Sequence, residues 1–219
     1  MMNLDPVTYE AWYHTSRGAW IGEREFALLM QLLRPQTGMS LLDVGSGSGY
    51  FSRRFADAGL VVTGVEADER MLAFAQAQSA NIPYIRGNAL ALPLPSESFD
   101  YVAAITSLCF VDNPQQALAE CWRVARQGVV LGLLNRHSLL YWQKRERGGY
   151  RGARWDTWKN VASWQKALLP PPVMLKHKTA IFFPSGGKLA RTLENSLPGK
   201  LPWGGFLAVY LAKRRKKQD

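Results

Sequence analysis

Short apolar runs alternate with longer amphipathic segments over most of the chain before residue 136. The apolar runs lie at 41–44, 60–66, 82–86, 99–105 and 129–134. Each has the length and composition of a buried strand. Between them apolar residues recur at helical spacing, as in the pair Phe51 and Phe55, which indicates helices that pack on a sheet. Strand and helix alternating five times predict an α/β fold with a parallel sheet and right-handed crossovers.

The pattern outside this region predicts further elements. Two helices are expected before the first strand, at 5–16 and 21–33, and two helices with a flexible joint between them within 138–169. A sixth strand is expected at 179–183, a short helix at 187–196 and a seventh strand at 206–211.

Length and composition limit the classes of protein to which this chain can belong. A chain of 219 residues, 47% hydrophobic, is expected to form one domain with a substantial core. The sequence contains no apolar run of membrane-spanning length, and its first residues lack the pattern of a signal peptide. Its two cysteines, Cys109 and Cys121, do not form a disulfide framework or a zinc motif. A reducing cytoplasm is therefore the expected location.

Charge is distributed unevenly. Residues 1–135 carry a net charge of −4, whereas residues 136–219 carry +14. The second part is thus suited to an anionic partner or a membrane surface, although a basic solvated surface would show the same composition.

The first strand leads into a glycine-rich turn. In the stretch Asp43–Gly49 an acid ends the strand and three glycines follow at every second position. Glycine permits a sharp turn and close approach of a ligand to the backbone. A helix begins at Tyr50, so the unit predicts a nucleotide-type site at a helix N-terminus. The dinucleotide fingerprint requires glycine at the sixth position, which is Tyr50 here, so that fingerprint is absent.

The pattern Asp-x-Gly-x-Gly-x-Gly resembles motif I of the class I S-adenosylmethionine (SAM) dependent methyltransferases. Leu92–Pro95 and Ser98–Asp100 resemble a signature of the ubiquinone/menaquinone-biosynthesis-like members, the methyltransferase-11 group. The resemblance implies a Rossmann-like, seven-stranded, mostly parallel sheet with helices on both faces. It also implies that one of the last two strands is antiparallel, at an edge. SAM would be the cofactor, and its sulfonium and ammonium favour an acid at the strand end.

Polar groups at four strand ends form the expected cofactor site. Glu66 lies near the spacing at which an acid meets a ribose, and we assign the neighbouring helix cap to Asp68 instead. Asn88 stands where the family usually has an acid for the adenine amino group, and its amide oxygen can still accept that bond. The predicted cofactor-binding residues are Asp43, Gly45, Ser46, Gly47, Gly49, Glu66, Ala67, Met71, Asn88, Ala89, Leu90 and Thr106.

The resemblance divides the chain by role. Residues 1–37 would be lid helices, 38–135 the SAM-binding core, 136–212 the acceptor side with the last strands, and 213–219 a basic tail. The segment 138–169 interleaves tryptophan with Lys and Arg, which suits a membrane surface, a nucleic-acid backbone or a simple cover helix.

The acceptor side of the site is less defined. Candidates to line the lid pocket are Tyr9, Tyr13, His14 and Arg17, although Tyr9 and Trp12 could equally pack the helix on the core. Candidate general bases are His14, Tyr13 and His137, and no motif singles one out. Cys109 is interpreted as a small buried hydrophobe rather than as a nucleophile.

These observations predict a SAM-dependent methyltransferase that acts on a small molecule. Two alternatives stay open. An RNA methyltransferase would explain the basic second half, but the sequence shows no added RNA-binding module and no Asn/Asp-Pro-Pro-Tyr motif, so nucleic acid is not favoured. A SAM-binding regulatory protein without catalysis would explain Asn88 and the missing base.

Overall fold

The computed structural model describes residues 5–197, 199 and 201–214. Its strands are β1 Ser40–Val44, β2 Val61–Glu66, β3 Tyr84–Arg86, β4 Phe99–Ile105, β5 Ala125–Leu134, β6 Met174–Ala180 and β7 Phe206–Ala212. Its α-helices are α1 Pro6–His14, α2 Ser16–Leu33, α3 Tyr50–Asp57, α4 Glu69–Gln78, α5 Pro114–Val124, α6 Leu139–Lys144, α7 Trp158–Trp164 and α8 Lys188–Ser196. The predicted basic tail lies outside the described residues from 215 on.

The strands of the described chain form one sheet in the order β3-β2-β1-β4-β5-β7-β6. β1 to β5 are parallel, and β7 runs antiparallel to both of its neighbours. β1 and β4 lie side by side, and the chain winds in opposite directions from them. Ligands of such sheets bind at the carboxyl ends of the strands at this switch point. The predicted Rossmann-like α/β class is confirmed.

The predicted place of the antiparallel strand was wrong. It is β7, one position inside the edge, whereas the edge strand is β6. The burial of all seven β7 residues suits a strand covered on both faces. β6 carries Lys176, His177 and Lys178, and charged residues are characteristic of edge strands. β6 also begins five residues earlier than predicted, because its exposed polar positions do not give the apolar run on which the prediction depended.

Helices cover both faces of the sheet and enclose two hydrophobic cores. One core joins α2 and α3 to the sheet, with Leu29 and Phe55 fully buried. The other core lies under α5 and α7 and includes Trp122 and Val161. Within the described residues, no helix is both long enough and apolar enough to cross a membrane.

The predicted start of α4 is confirmed. The Asp68 carboxylate accepts hydrogen bonds from the backbone N–H groups of Arg70 and Met71 and so caps α4. Asn113 caps α5 by accepting from the Gln116 N–H, with Pro114 in the first turn. Because Asp68 supplies the cap, the Glu66 carboxylate is not needed for it.

A buried asparagine joins the end of β5 to the loop before β7. The Asn135 side-chain amide donates to the carbonyl oxygens of Pro202 and Gly204, both at 2.7 Å. Its Oδ1 accepts from the His137 backbone N–H at 3.1 Å. The loop and strand ends that this residue joins border the central cavity described below.

We expect Asn135→Ala to lower the free energy of unfolding by about 1–3 kcal/mol, because three backbone groups, among them the carbonyl of the buried Gly204, would lose their partner. Urea denaturation followed by circular dichroism measures the change. The control is Asn81→Ala, an exposed position, which should change stability by less than about 0.5 kcal/mol. Equal stabilities of the two variants would contradict the assigned role.

Candidate active site

The glycine turn after β1 has a backbone that only glycine adopts easily. Gly45, Gly47 and Gly49 have φ angles of 71°, 55° and 82°. A Cβ added at Gly45 would lie 2.4 Å from the Cβ of Ser107, so the turn also packs closely against the segment after β4. The Ser107 hydroxyl donates to the Val44 carbonyl at 2.7 Å and fastens that segment to the end of β1. The turn is therefore built for close backbone approach.

Glu66 closes the turn from the end of β2. Its Oε2 accepts from the Gly47 N–H at 2.8 Å, and its Oε1 accepts from the N–H groups of Ala67 at 2.8 Å and Asp68 at 2.9 Å. A carboxylate offers about four acceptor sites, so capacity remains for a ligand hydroxyl. The predicted ribose contact stays a prediction that this geometry permits.

A second acid lies beneath the turn. Asp43 is 1% exposed and accepts from the Ser52 hydroxyl at 2.6 Å. Burial raises the pKa of Asp43 to about 6, the Ser52 hydrogen bond opposes that shift, and the Glu66 charge adds to it. The residues around the turn fit a cationic ligand better than a pyrophosphate. The Ser46 hydroxyl in the turn is buried and has no hydrogen-bond partner in the described structure, so a polar ligand would satisfy it.

The predicted adenine side is formed by the loop after β3. Asn88 Oδ1 accepts from the Leu90 N–H at 2.9 Å, and the Gln116 side chain donates to the Leu90 carbonyl at 2.9 Å. Ala89 and Leu90 pack against the second core, while Met71 is buried on α4. The loop is thus held in shape, and Asn88 already uses one acceptor site of its amide oxygen.

A cavity of about 330 Å³ lies beside these strand ends. Thr106 lines it at the end of β4, with a φ angle of 48°, and its N–H donates to the Gly132 carbonyl at 2.7 Å. Tyr9 also lines it, and a Cβ added at Gly47 would lie 3.9 Å from the Tyr9 ring. The cavity therefore adjoins the glycine turn. Its aromatic lining consists of Tyr9, Trp12, Tyr13, Phe110, Tyr150 and Phe206.

Helix α1 is fastened over the turn by a buried acid. Glu10 is 8% exposed, accepts from the Ser48 hydroxyl at 2.5 Å and pairs with Arg53 at 2.5 Å. Ser48 belongs to the glycine turn and Arg53 to α3. α1 is therefore positioned by the same turn that would receive the cofactor.

The predicted lid residues separate into two groups. Tyr9, Tyr13 and Arg17 line the cavity. His14 does not, because its side chain is 74% exposed and lies 3.7 Å from Glu10 on the outer side. His137 is also exposed, after β5, and does not line the cavity.

The structure thus gives neither histidine the position of a base, and burial raises the pKa of Tyr13 well above its usual value. Cys109 is 2% exposed, and burial raises the pKa of its thiol to about 12. Cys109 is therefore in the neutral, buried state that the sequence interpretation expected, although it also lines the cavity.

Sequence reasoning missed Glu25. This residue of α2 lines the cavity, and the described residues offer its carboxylate no hydrogen bond or ion pair. Burial raises its pKa to about 8. Ile21, Glu25 and Leu29 recur every four residues, and both apolar members are buried. An acid in the middle of an apolar helical stripe was the available signal.

Comparisons with known proteins agree with this geometry. Residues 42–133 match a family described as a methyltransferase domain. A malonyl-[acyl-carrier protein] O-methyltransferase of Pectobacterium atrosepticum is 34% identical over 110 residues, which cover 50% of this chain and 42% of that protein. A demethylmenaquinone methyltransferase of Renibacterium salmoninarum is 40% identical over 91 residues, covering 42% and 38%. The chain thus spans less than half the length of these two curated relatives.

One solved structure is similar over nearly the whole chain. It is a SAM-dependent methyltransferase of Thermotoga maritima, described as a possible histamine N-methyltransferase. The TM-score is 0.74 at 25% identity, and the match covers 94% of this chain and 95% of that one. The sequence motifs, the strand order of the sheet and these matches all indicate the same kind of protein. Residues 42–133 are thus a methyltransferase domain, and the motifs and fold of the chain are similar to those of the class I SAM-dependent methyltransferases.

Proposed function

We propose that the protein transfers a methyl group from SAM to a small-molecule acceptor held in the central cavity. The observation that carries the proposal is that this cavity adjoins the glycine turn through Tyr9 and borders the β4 end at Thr106. When bound, SAM supplies a methyl group that is carried on a sulfonium. The sulfur leaves as a neutral thioether, so the leaving group needs no further activation. The contribution of the chain is then proximity, alignment and exclusion of water.

The cavity supports a small acceptor. A volume of about 330 Å³ is at the lower end of the usual range for small-molecule sites. α1 and α2 wall it on one side, and the segment that contains Lys144 and Tyr150 contributes to the wall on another. An RNA or protein acceptor would need an open groove instead. The names of the relatives include both O- and N-methyltransferases, so those names do not choose the acceptor atom.

The basic half of the chain supports a subsidiary proposal, contact with an anionic partner or membrane surface. Trp142 is 68% exposed, and the Arg145 guanidinium lies over its ring at 5.3 Å. Trp164 in the same segment is buried and acts as a cover residue. We also propose a cytoplasmic location, which is supported by the free, buried state of Cys109 and Cys121.

We expect Glu66→Gln to weaken SAM binding about 10-fold or more, because a charge-assisted pair of hydrogen bonds is worth over about 1.4 kcal/mol. Isothermal titration calorimetry with SAM measures the change. The matched control is Glu69→Gln, three residues further on at the start of α4, where the side chain is 68% exposed and pairs with Arg86. This control should bind SAM like the wild type. Equal affinities of all three proteins would remove Glu66 from the site.

Transfer itself is tested by incubating the protein with methyl-labelled SAM and cell extract, then separating the products by size. We expect label in molecules below about 1 kDa, since the cavity admits nothing larger. Label in RNA or protein would contradict the small-molecule proposal. Tight SAM binding with no transfer at all would favour the regulatory alternative.

A further inference from the structure

We propose that the acceptor is a small organic amine and that the Glu25 carboxylate binds its nitrogen and takes the proton from it. This inference rests on the proposed methyltransferase function and names the class of substrate for the same cavity. It depends on the position of one acid, on what surrounds that acid, and on the chemistry of nitrogen methylation.

At its position in the cavity wall, the Glu25 carboxylate has no charged or hydrogen-bonding partner among the described residues. It lines the cavity from α2, and burial alone accounts for the raised pKa of about 8, with no nearby cation acting on it. Arg17 is the basic residue on the same helix that lines the cavity, and its Nε donates to the Pro184 carbonyl at 2.7 Å. A carboxylate in such a place is costly unless a cation or a strong donor pairs with it. The described part of the chain does not supply that partner, and a ligand can supply it.

The aromatic part of the lining suits a cation. The cavity presents several aromatic side chains, among them Tyr9, Tyr13 and Tyr150, and the faces of such rings attract ammonium groups. Burial raises the pKa of both Tyr9 and Tyr150 to about 12, and the Glu25 charge adds to each shift. An ammonium group beside Glu25 would stabilise its ionised form, whereas a carboxylate or phosphate there would disfavour it, although Arg17 and Lys144 also line the cavity. An amine that carries an apolar body therefore matches the cavity better than an anion.

Nitrogen methylation also needs a proton acceptor. A protonated amine has no lone pair, so its N–H bond must break first, with the electron pair staying on nitrogen for the methyl group. The proton would go to a carboxylate oxygen of Glu25. A bound ammonium favours the ionised form of Glu25, and a carboxylate whose pKa is raised to about 8 can then take such a proton.

The other titratable or charged groups that line the cavity are poorer candidates than Glu25 for this role. They are Tyr9 and Tyr13 on α1, Arg17 on α2, Cys109 after β4, and Lys144 and Tyr150 after β5. Burial raises the pKa of Tyr9, Tyr150 and Cys109 to about 12, and it raises the pKa of Tyr13 well above its usual value. The two basic side chains carry positive charge and cannot accept the proton as cations. Glu25 supplies the carboxylate among the described residues that line the cavity, and burial raises its pKa to about 8.

The test is calorimetric titration of the full chain, saturated with S-adenosylhomocysteine, at pH 7. The probes are 2-phenylethylamine and two analogues of similar size, the neutral 2-phenylethanol and the anionic 3-phenylpropionate. We expect the amine to bind at least about 10-fold tighter than either analogue, and Glu25→Gln to remove that preference. The control is Glu23→Gln, an exposed acid on the same helix, which should keep the preference.

The outcomes separate the two proposals. Failure of S-adenosylhomocysteine to bind would overturn the proposed function. Binding of the nucleoside with no preference for the amine, or a preference that survives in Glu25→Gln, would overturn only the amine proposal.

A second measurement does not depend on any ligand. The pKa of Glu25 is raised from the usual 4.5 to about 8, so its contribution to stability is present at low pH and is lost as pH rises through about 8. We expect the melting temperature of the wild type to fall by about 5 °C more than that of Glu25→Gln between pH 5 and pH 8.5. Glu23→Gln should follow the wild type. Identical pH profiles of the wild type and Glu25→Gln would show that Glu25 lies in solvent and would overturn the proposal.

Discussion

The hydrogen bond from the Gly47 N–H to the Glu66 carboxylate holds the site together. It joins the glycine turn after β1 to the end of β2, while the Ser107 hydroxyl joins the segment after β4 to the end of β1. Three strand ends are thus fixed around one turn before any ligand binds. Preorganised groups of this kind are effective because they do not have to be ordered at the moment of binding. The negative charge of the two acids there explains why a sulfonium nucleoside, rather than a dinucleotide, matches the turn.

The same turn positions the acceptor side. Through its contact with Ser48, Glu10 fastens α1 beside the glycines, and α1 brings Tyr9 and Tyr13 into the cavity wall. α2 follows α1 directly and contributes Glu25 to the cavity lining. The cofactor region and the acceptor cavity are therefore parts of one arrangement, in which a change at the turn would also move the lining of the cavity.

The chain up to β5 could be predicted closely from the sequence. Buried parallel strands are continuous apolar runs, and the glycine turn and the cap at Asp68 are local signals that tertiary packing did not override. Beyond β5, predicting the strands correctly would have required tertiary information. The charged residues of β6 obscured the first part of the strand, because an edge strand buries few side chains and so leaves a weak periodic signal in the sequence. The position of β7 inside the edge depends on pairing between distant segments, which periodicity does not encode.

The functional residues also divide into those that the sequence could predict and those that it could not. Residues at strand ends could be placed on one rim because parallel strands share their direction, whereas the lining of the cavity comes from segments far apart in sequence. His14 and His137 were chosen by chemical type and lie outside the cavity. Glu25 has an ordinary place in an amphipathic helix, and only its position on the apolar stripe beside Ile21 distinguishes it from the exposed Glu23.

The most direct test of this account is a crystal structure of the protein with S-adenosylhomocysteine. We expect the ribose hydroxyls to lie within hydrogen-bond distance of the Glu66 carboxylate and the sulfur to face the cavity beside Tyr9. A nucleoside bound away from the glycine turn, or a sulfur that faces away from the cavity, would contradict it.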